Sequence, residues 1–133
     1  MWPMSLHARY PSIEDLRRRA RARIPKFVFE YLDGGPGREA TTARNEAMLD
    51  ALRFLPSILH GPQQPDLRTR LLGMDYALPF GIAPVGMSGL IWPDAERHLA
   101  REAARAGLPY CLSTVASQTP EHVAPVMDEK AWF

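Results

Sequence analysis

From Leu78 onward the chain alternates short apolar runs with stretches of helical spacing, and this alternation constrains its fold more than any other feature. Leu78-Pro79-Phe80-Gly81-Ile82-Ala83-Pro84 is short, apolar and closed by a proline, as a buried strand would be. Pro93 sits at a favourable first helical position, Leu99, Ala103 and Ala106 share a helical face, and Gly107 supplies a stop. Tyr110-Cys111-Leu112-Ser113 makes a second strand, Thr119-Pro120-Glu121 opens a short helix, and Lys130-Ala131-Trp132-Phe133 begins a third strand. Strands linked in this way pair in parallel through right-handed crossovers. Such strands need neighbours at both edges and helices on both faces. Residues 78–133 are therefore expected to open a larger α/β fold, with this chain as its N-terminal segment.

Residues 1–77 read as a helical segment laid against that sheet. Ser12-Ile13-Glu14-Asp15 resembles a capping box, and Ile13, Leu16, Ala20 and Ile24 follow at helical spacing. Pro25 ends that helix or starts a new turn. Phe27, Val28, Tyr31 and Leu32 continue to Gly34-Gly35, a natural stop, and a third helix is expected over 42–52. Residues 56–68, punctuated by Pro56, Gly61, Pro62 and Pro65, form a long connection.

Net charge is +1, which argues against a general nucleic-acid surface, and no apolar run approaches the ~20 residues that span a bilayer. The single cysteine, Cys111, has no internal disulfide partner, and residues 1–10 lack the pattern of a secretory signal. A cytoplasmic protein is the expectation.

Ala83-Pro84-Val85-Gly86-Met87-Ser88-Gly89 follows the first strand at its C-terminal end, where parallel α/β folds bind ligands. Glycines there admit a flat or phosphorylated ligand close to the backbone, although a tight ligand-free turn would use the same residues. The order is neither the dinucleotide fingerprint nor a phosphate-binding P-loop. Ser113-Thr114 occupies the same station on the next strand, so Ser113 and Gly86 could meet one ligand, or Ser113 could bond its local backbone. Tyr31, on an otherwise apolar helical face, either packs in a core or offers its phenol to a carboxylate. Arg17, Arg18, Arg19, Arg21 and Arg23 fit a solvated helix face, with anionic-surface binding as the alternative. His7, His60, His98 and His122 lack metal-ligand spacing, and neither a nucleophile–base pair nor a carboxylate pair stands out.

The segments Ile24–Gly35, Leu78–Gly86 and Leu112–Ser117, with the terminal Trp132-Phe133, resemble the FMN-dependent α-hydroxy-acid dehydrogenases and oxidases, from about Tyr10 to Phe133. Lactate dehydrogenase, mandelate dehydrogenase and glycolate oxidase of that kind belong to this family, and the resemblance covers about its first third. It implies the N-terminal part of a TIM (β/α)8 barrel over 78–133, incomplete here, preceded by a helical segment over 1–77. It implies FMN as cofactor, held by Pro84, Val85 and Gly86 along the backbone and by the Ser113 hydroxyl. Tyr31 matches the tyrosine that binds the substrate carboxylate. Pro36 and Ala95 depart from the family's usual alanine and glycine.

The implied reaction oxidises a lactate- or mandelate-like 2-hydroxy acid to its 2-oxo acid. The histidine base, the flavin-contacting lysine and the substrate-binding arginines are expected downstream, so no catalytic residue is assigned here and the segment alone is expected to be inactive. Gly86 favours a dehydrogenase using a quinone or protein acceptor, because family oxidases tend to carry alanine there. Oxygen-using oxidation, or a non-catalytic product whose basic helix binds an anionic surface or partner, are the alternatives. Homo-oligomerisation as a tetramer and peripheral association with the inner membrane are further expectations from the resemblance.

Overall fold

Ser12 caps the first long helix in the manner its sequence dictates. Its Oγ accepts the Asp15 N–H at 3.2 Å while the Asp15 carboxylate accepts the Ser12 N–H at 3.1 Å. Bonds from Ser12, its hydroxyl foremost, hold the Asp15 carboxyl below its ordinary value. The computed structural model describes residues 6–56, 58, 59, 61, 64–127 and 131–133, in two units, Met1–Pro56 and Ser57–Phe133. Lys130 and His60 lie outside the described residues.

The first unit holds α1 (Leu6–Arg9), α2 (Ile13–Arg23), α3 (Lys26–Asp33) and α4 (Ala40–Asp50). Ile24 is extended because it precedes Pro25, so α2 stops there and α3 begins. Gly34 ends α3, but in an extended conformation at φ −84° rather than the left-handed one expected of a glycine stop. Its lack of a side chain serves close approach instead: a Cβ there would lie 2.7 Å from the Glu30 carbonyl oxygen. The third helix runs two residues earlier than its spacing suggested, after Glu39 in a left-handed conformation.

The second unit opens with an antiparallel hairpin, β1 (Thr69–Leu71) and β2 (Met74–Tyr76), turned by Leu72 and Gly73, both at positive φ. These strands fall within residues expected to be helical or connecting. There follow α5 (Ser88–Ile91), α6 (Ala95–Ala106), β3 (Tyr110–Cys111), α7 (Pro120–Val123) with a 3-10 turn over Ala124–Val126, and β4 (Ala131–Trp132). β3 and β4 pair in parallel, Tyr110 with Ala131 and Cys111 with Trp132.

The strand expected over 78–84 shrinks to one parallel bridge between Ile82 and Tyr110. Ile82 N–H donates to Pro109 O and Cys111 N–H donates to Ile82 O, each at 3.0 Å. Pro79 and Pro84 have no N–H to extend that ladder. α6 begins at Ala95 rather than Pro93, because Asp94 sits in a left-handed conformation between them. Its inner face is Glu96, Ala100 and Ala103, while Ala106, expected on that face, is exposed. Ala100 and Ala103 pack with Leu108, Tyr110, Leu112, Val123 and Met127 into the core. Gly107 ends α6 at φ 67°, as its position predicts. The parallel order agrees with the opening of an α/β sheet, and the described residues form no closed barrel.

Gly81 lies where the chain crosses Pro109, and a Cβ would sit 2.7 Å from the Pro109 carbonyl oxygen and 2.5 Å from its Cγ. Gly81→Ala should therefore destabilise this unit by about 1–3 kcal/mol, the usual cost of overpacking. The check is a lower urea midpoint with an unchanged m-value.

Candidate functional site

Beyond the Ile82–Tyr110 bridge, the two chains leave their strands as loops over residues 83–87 and 113–117. Met87 N–H donates to Val115 O at 2.9 Å and ties the loops together. Pro84, Val85, Gly86 and Ser113 are thereby gathered at one end of the sheet. Val85 and Met87 expose apolar surface there, and Gly86 is half-buried. Ser113 does bond its local backbone, since its Oγ accepts the Val115 N–H at 3.3 Å and its carbonyl accepts the Ala116 N–H at 3.0 Å. That bond uses the oxygen as acceptor and leaves the hydroxyl proton available to a ligand.

Tyr31 belongs to the other unit, on α3, with its side chain half exposed rather than packed in a core. α3 is fastened to α2 by Arg17, whose Nε and Nη2 donate to the Asp33 carboxylate at 2.6 and 2.9 Å. The Arg17 side chain, through that hydrogen bond first and its charge second, holds the Asp33 carboxyl below its ordinary value. Arg17 also pairs with Glu14, and Arg18 pairs with Asp15, so the basic run is partly neutralised along its own helix.

Sequence spacing assigned no role to Glu96, yet its side chain is fully buried. Its Oε1 accepts the Ser117 N–H at 2.8 Å and the Gly89 N–H at 3.3 Å. Burial is the largest single influence and opposes its charge, but bonds from its own backbone N–H, from Ser117, from the Ser88 hydroxyl and from Gly89 together outweigh it and hold the carboxyl below its ordinary value. Burial first, then the Glu96 charge, pushes the neighbouring Tyr110 phenol up to about 12. The available signal was the spacing of Glu96 with Ala100 and Ala103, which puts a carboxylate on an otherwise apolar face.

On the opposite side of the strands lies an apolar groove of about 540 Å³, lined in part by Leu71, Tyr76, Ile82, Pro84, Cys111 and Trp132. Trp132 Nε1–H donates to the Tyr76 hydroxyl at 3.1 Å, and the rings meet edge to face with centroids 6.3 Å apart. Cys111 is half-buried beside this groove. Among the described residues, no group of His, Cys, Asp or Glu side chains is placed to hold a metal ion.

A family model described as FMN-dependent dehydrogenase matches residues 20–133. The chain belongs to the FMN-dependent dehydrogenase family. It is 39% identical over 119 residues to an L-lactate dehydrogenase of Ectopseudomonas mendocina, covering 90% of this chain and 31% of that protein. A soluble mutant of the membrane-associated (S)-mandelate dehydrogenase from Pseudomonas putida superposes with a TM-score of 0.80 at 36% identity. That match covers 91% of this chain and 35% of the other. A mandelate oxidase superposes with a TM-score of 0.78 at 35% identity, over 88% of this chain and 34% of the other. The chain thus spans about a third of the length of the curated relatives it matches.

The gathered loops fit the cofactor in this family's name. Exposed Val85 and Met87 offer apolar contact to a flat ring system, and Gly86 adds no side chain to obstruct it. The Ser113 hydroxyl retains a proton for a polar ring edge.

The low carboxyl pKa of Glu96 links folding to pH. Its stabilising contribution is fully present above its ordinary value of 4.5 and is lost as pH falls through the lower folded value. Glu96→Gln should flatten that part of the acid limb. The measurement is the pH dependence of the unfolding free energy of the two proteins, and parallel curves below pH 4.5 would contradict the assignment.

Proposed function

We propose that this chain supplies the N-terminal part of an FMN-dependent 2-hydroxy-acid dehydrogenase, within a TIM barrel, acting on a lactate- or mandelate-like substrate. The observation that carries this reading is the tie between the Pro84–Met87 and Ser113–Ser117 loops at the ends of parallel strands, inside the segment matched by the family. The lactate and mandelate dehydrogenases among its relatives support the substrate class.

In this reading Pro84, Val85 and Gly86 lie along the flavin and the Ser113 hydroxyl donates to it. FMN, when bound, takes up the two electrons released as a 2-hydroxy acid becomes a 2-oxo acid. Tyr31 donates its phenolic proton to the substrate carboxylate, with its helix held by the Arg17–Asp33 pair. The proton-accepting histidine belongs to the remainder of the enzyme. A quinone or protein acceptor is the reading that Gly86 favours. The mandelate oxidase among the structural neighbours supports the second reading, with oxygen as acceptor. Peripheral association with the inner membrane follows the membrane-associated relative, and tetramer assembly and cytoplasmic location complete the proposal. The ion pairs of Arg17 and Arg18 weaken the alternative of a basic helix binding an anionic surface.

Dye-linked turnover of lactate and mandelate by a full-length enzyme containing this chain tests the reaction. Its comparison with peroxide formation separates dehydrogenase from oxidase. Tyr31→Phe in that enzyme should lower kcat/KM by the worth of a hydrogen bond to a charged group, about 1.5–3 kcal/mol. An unchanged kcat/KM would remove Tyr31 from the site.

Gly86→Val should lower the flavin content of the purified full-length enzyme by steric exclusion, whereas Arg18→Ala should leave it intact. Stoichiometric flavin in Gly86→Val, read from the absorbance ratio of flavin to protein, would contradict the placement.

A further inference from the structure

The two loops that leave the parallel strands cannot be joined by backbone pairing alone. Met87 N–H meets Val115 O, a donor facing an acceptor. Two residues further along each chain, Gly89 N–H and Ser117 N–H both point to the same oxygen, Glu96 Oε1. Two backbone donors cannot satisfy one another, and leaving either unpaired in a partly buried setting is costly. A shared anionic acceptor resolves the conflict, and Glu96 brings one from the first turn of α6, where the helix dipole also favours negative charge. The carboxylate has no exposed surface, so solvent does not compete for these bonds.

Gly89 is also packed directly against the Ser117 side chain. A Cβ on Gly89 would lie 2.7 Å from the Ser117 Cβ and 2.8 Å from its Oγ. Glycine is needed there for the loops to come close enough to share the carboxylate. The buried Ser88 hydroxyl lies beside the same carboxylate and supports its charge, while the link between the two loops falls on Oε1 and its two backbone donors.

We propose that Glu96 is a positioning residue for the flavin site, a buried carboxylate latch that sets the spacing between the Pro84–Met87 loop and the Ser113–Ser117 loop. The latch is a property of the chain's own geometry, and its consequence for FMN rests on the function proposed above. Glu96 touches neither substrate nor cofactor in this scheme. It acts through Gly89 and Ser117, which fix the loops carrying Gly86 and Ser113.

Hydrogen exchange of the full-length enzyme containing this chain, resolved to the Gly89 and Ser117 amides, reads the latch directly. In Glu96→Ala both amides should exchange about tenfold faster or more, the lower end of what a hydrogen bond to a charged group is worth. Amides in the middle of α6, at Ala100 and Ala103, should keep their protection. Glu96→Gln retains an acceptor oxygen of the same reach and should restore most of the protection. Gly89→Ala, which leaves the carboxylate in place but forces the loops apart, should free the same two amides. Wild-type rates at both amides in Glu96→Ala would overturn the proposal. So would their lack of protection in the wild-type enzyme, or equal deprotection of α6 in Glu96→Ala and Glu96→Gln, which would make Glu96 a support of the helix alone. In the full-length enzyme, the FMN dissociation constant should rise in Glu96→Ala and recover in Glu96→Gln. Unchanged FMN affinity in Glu96→Ala, with the amides freed, would overturn the positioning role and leave the flavin assignment standing. A wild-type enzyme that binds no FMN would sink the proposed function, while the exchange result would still decide the latch.

Discussion

The parallel register that sets Ile82 beside Tyr110, and Tyr110 beside Ala131, is the constraint on which the rest of the second unit depends. Side chains alternate along a strand, so this register sends Tyr110 and Leu112 into the core with Ala100 and Ala103 and leaves Cys111 on the groove side. A slip of one residue would exchange those faces and bury the wrong set. The same register brings the two chains to the end of the sheet at a common height. That is why Met87 can reach Val115, and why the loops can share one carboxylate. The small side chains of Ala100 and Ala103 let α6 lie close enough to deliver it.

The parts of this fold that were legible in the sequence are those whose chemistry is local. Ser12 with Asp15, Pro25, Gly107 and Thr119-Pro120 each start or stop an element through a bond or a dihedral preference of their own. Harder to read were features decided by distant partners. The Thr69–Tyr76 hairpin turns on Leu72-Gly73, and Leu72 is not a residue whose side chain favours positive φ. The apolar run at 78–84 has strand composition, but its prolines withdraw the donors a ladder needs, leaving a bridge at Ile82.

The site shows the same division. Pro84, Val85, Gly86 and Ser113 could be singled out as candidates because strand ends in parallel folds are privileged positions, and that rule needs only the strand order. The structure adds that Ser113 is engaged locally as an acceptor, which leaves its hydroxyl proton for the contact proposed above. Glu96 was hidden because a glutamate near a helix start ordinarily satisfies the helix dipole on the surface. Only the packing of α6 turns that residue inward, and packing is a tertiary fact. In the first unit, the arginines from Arg17 to Arg23 lie on the solvated helix face expected of them, and what the sequence did not show is that Asp33 on α3 pairs with Arg17.

The second unit is held in two different ways, by ring contacts and by bonds to the main chain. Near the N-terminal ends of the strands Ala77 N–H bonds Gly107 O, and along the groove face Tyr76 from the hairpin meets Trp132 through both a hydrogen bond and an edge-to-face ring contact. Aromatic pairs of this kind add about 0.5–1.5 kcal/mol beyond their burial, so the contact is structural in scale. The loops that leave the strands are held by backbone bonds and a carboxylate. Hydrogen bonds fix backbone positions without filling the space in front of them, whereas a plug of rings would occupy it. Gly89 stands where a side chain would collide with Ser117, so the close packing of the two loops around one shared carboxylate depends on it.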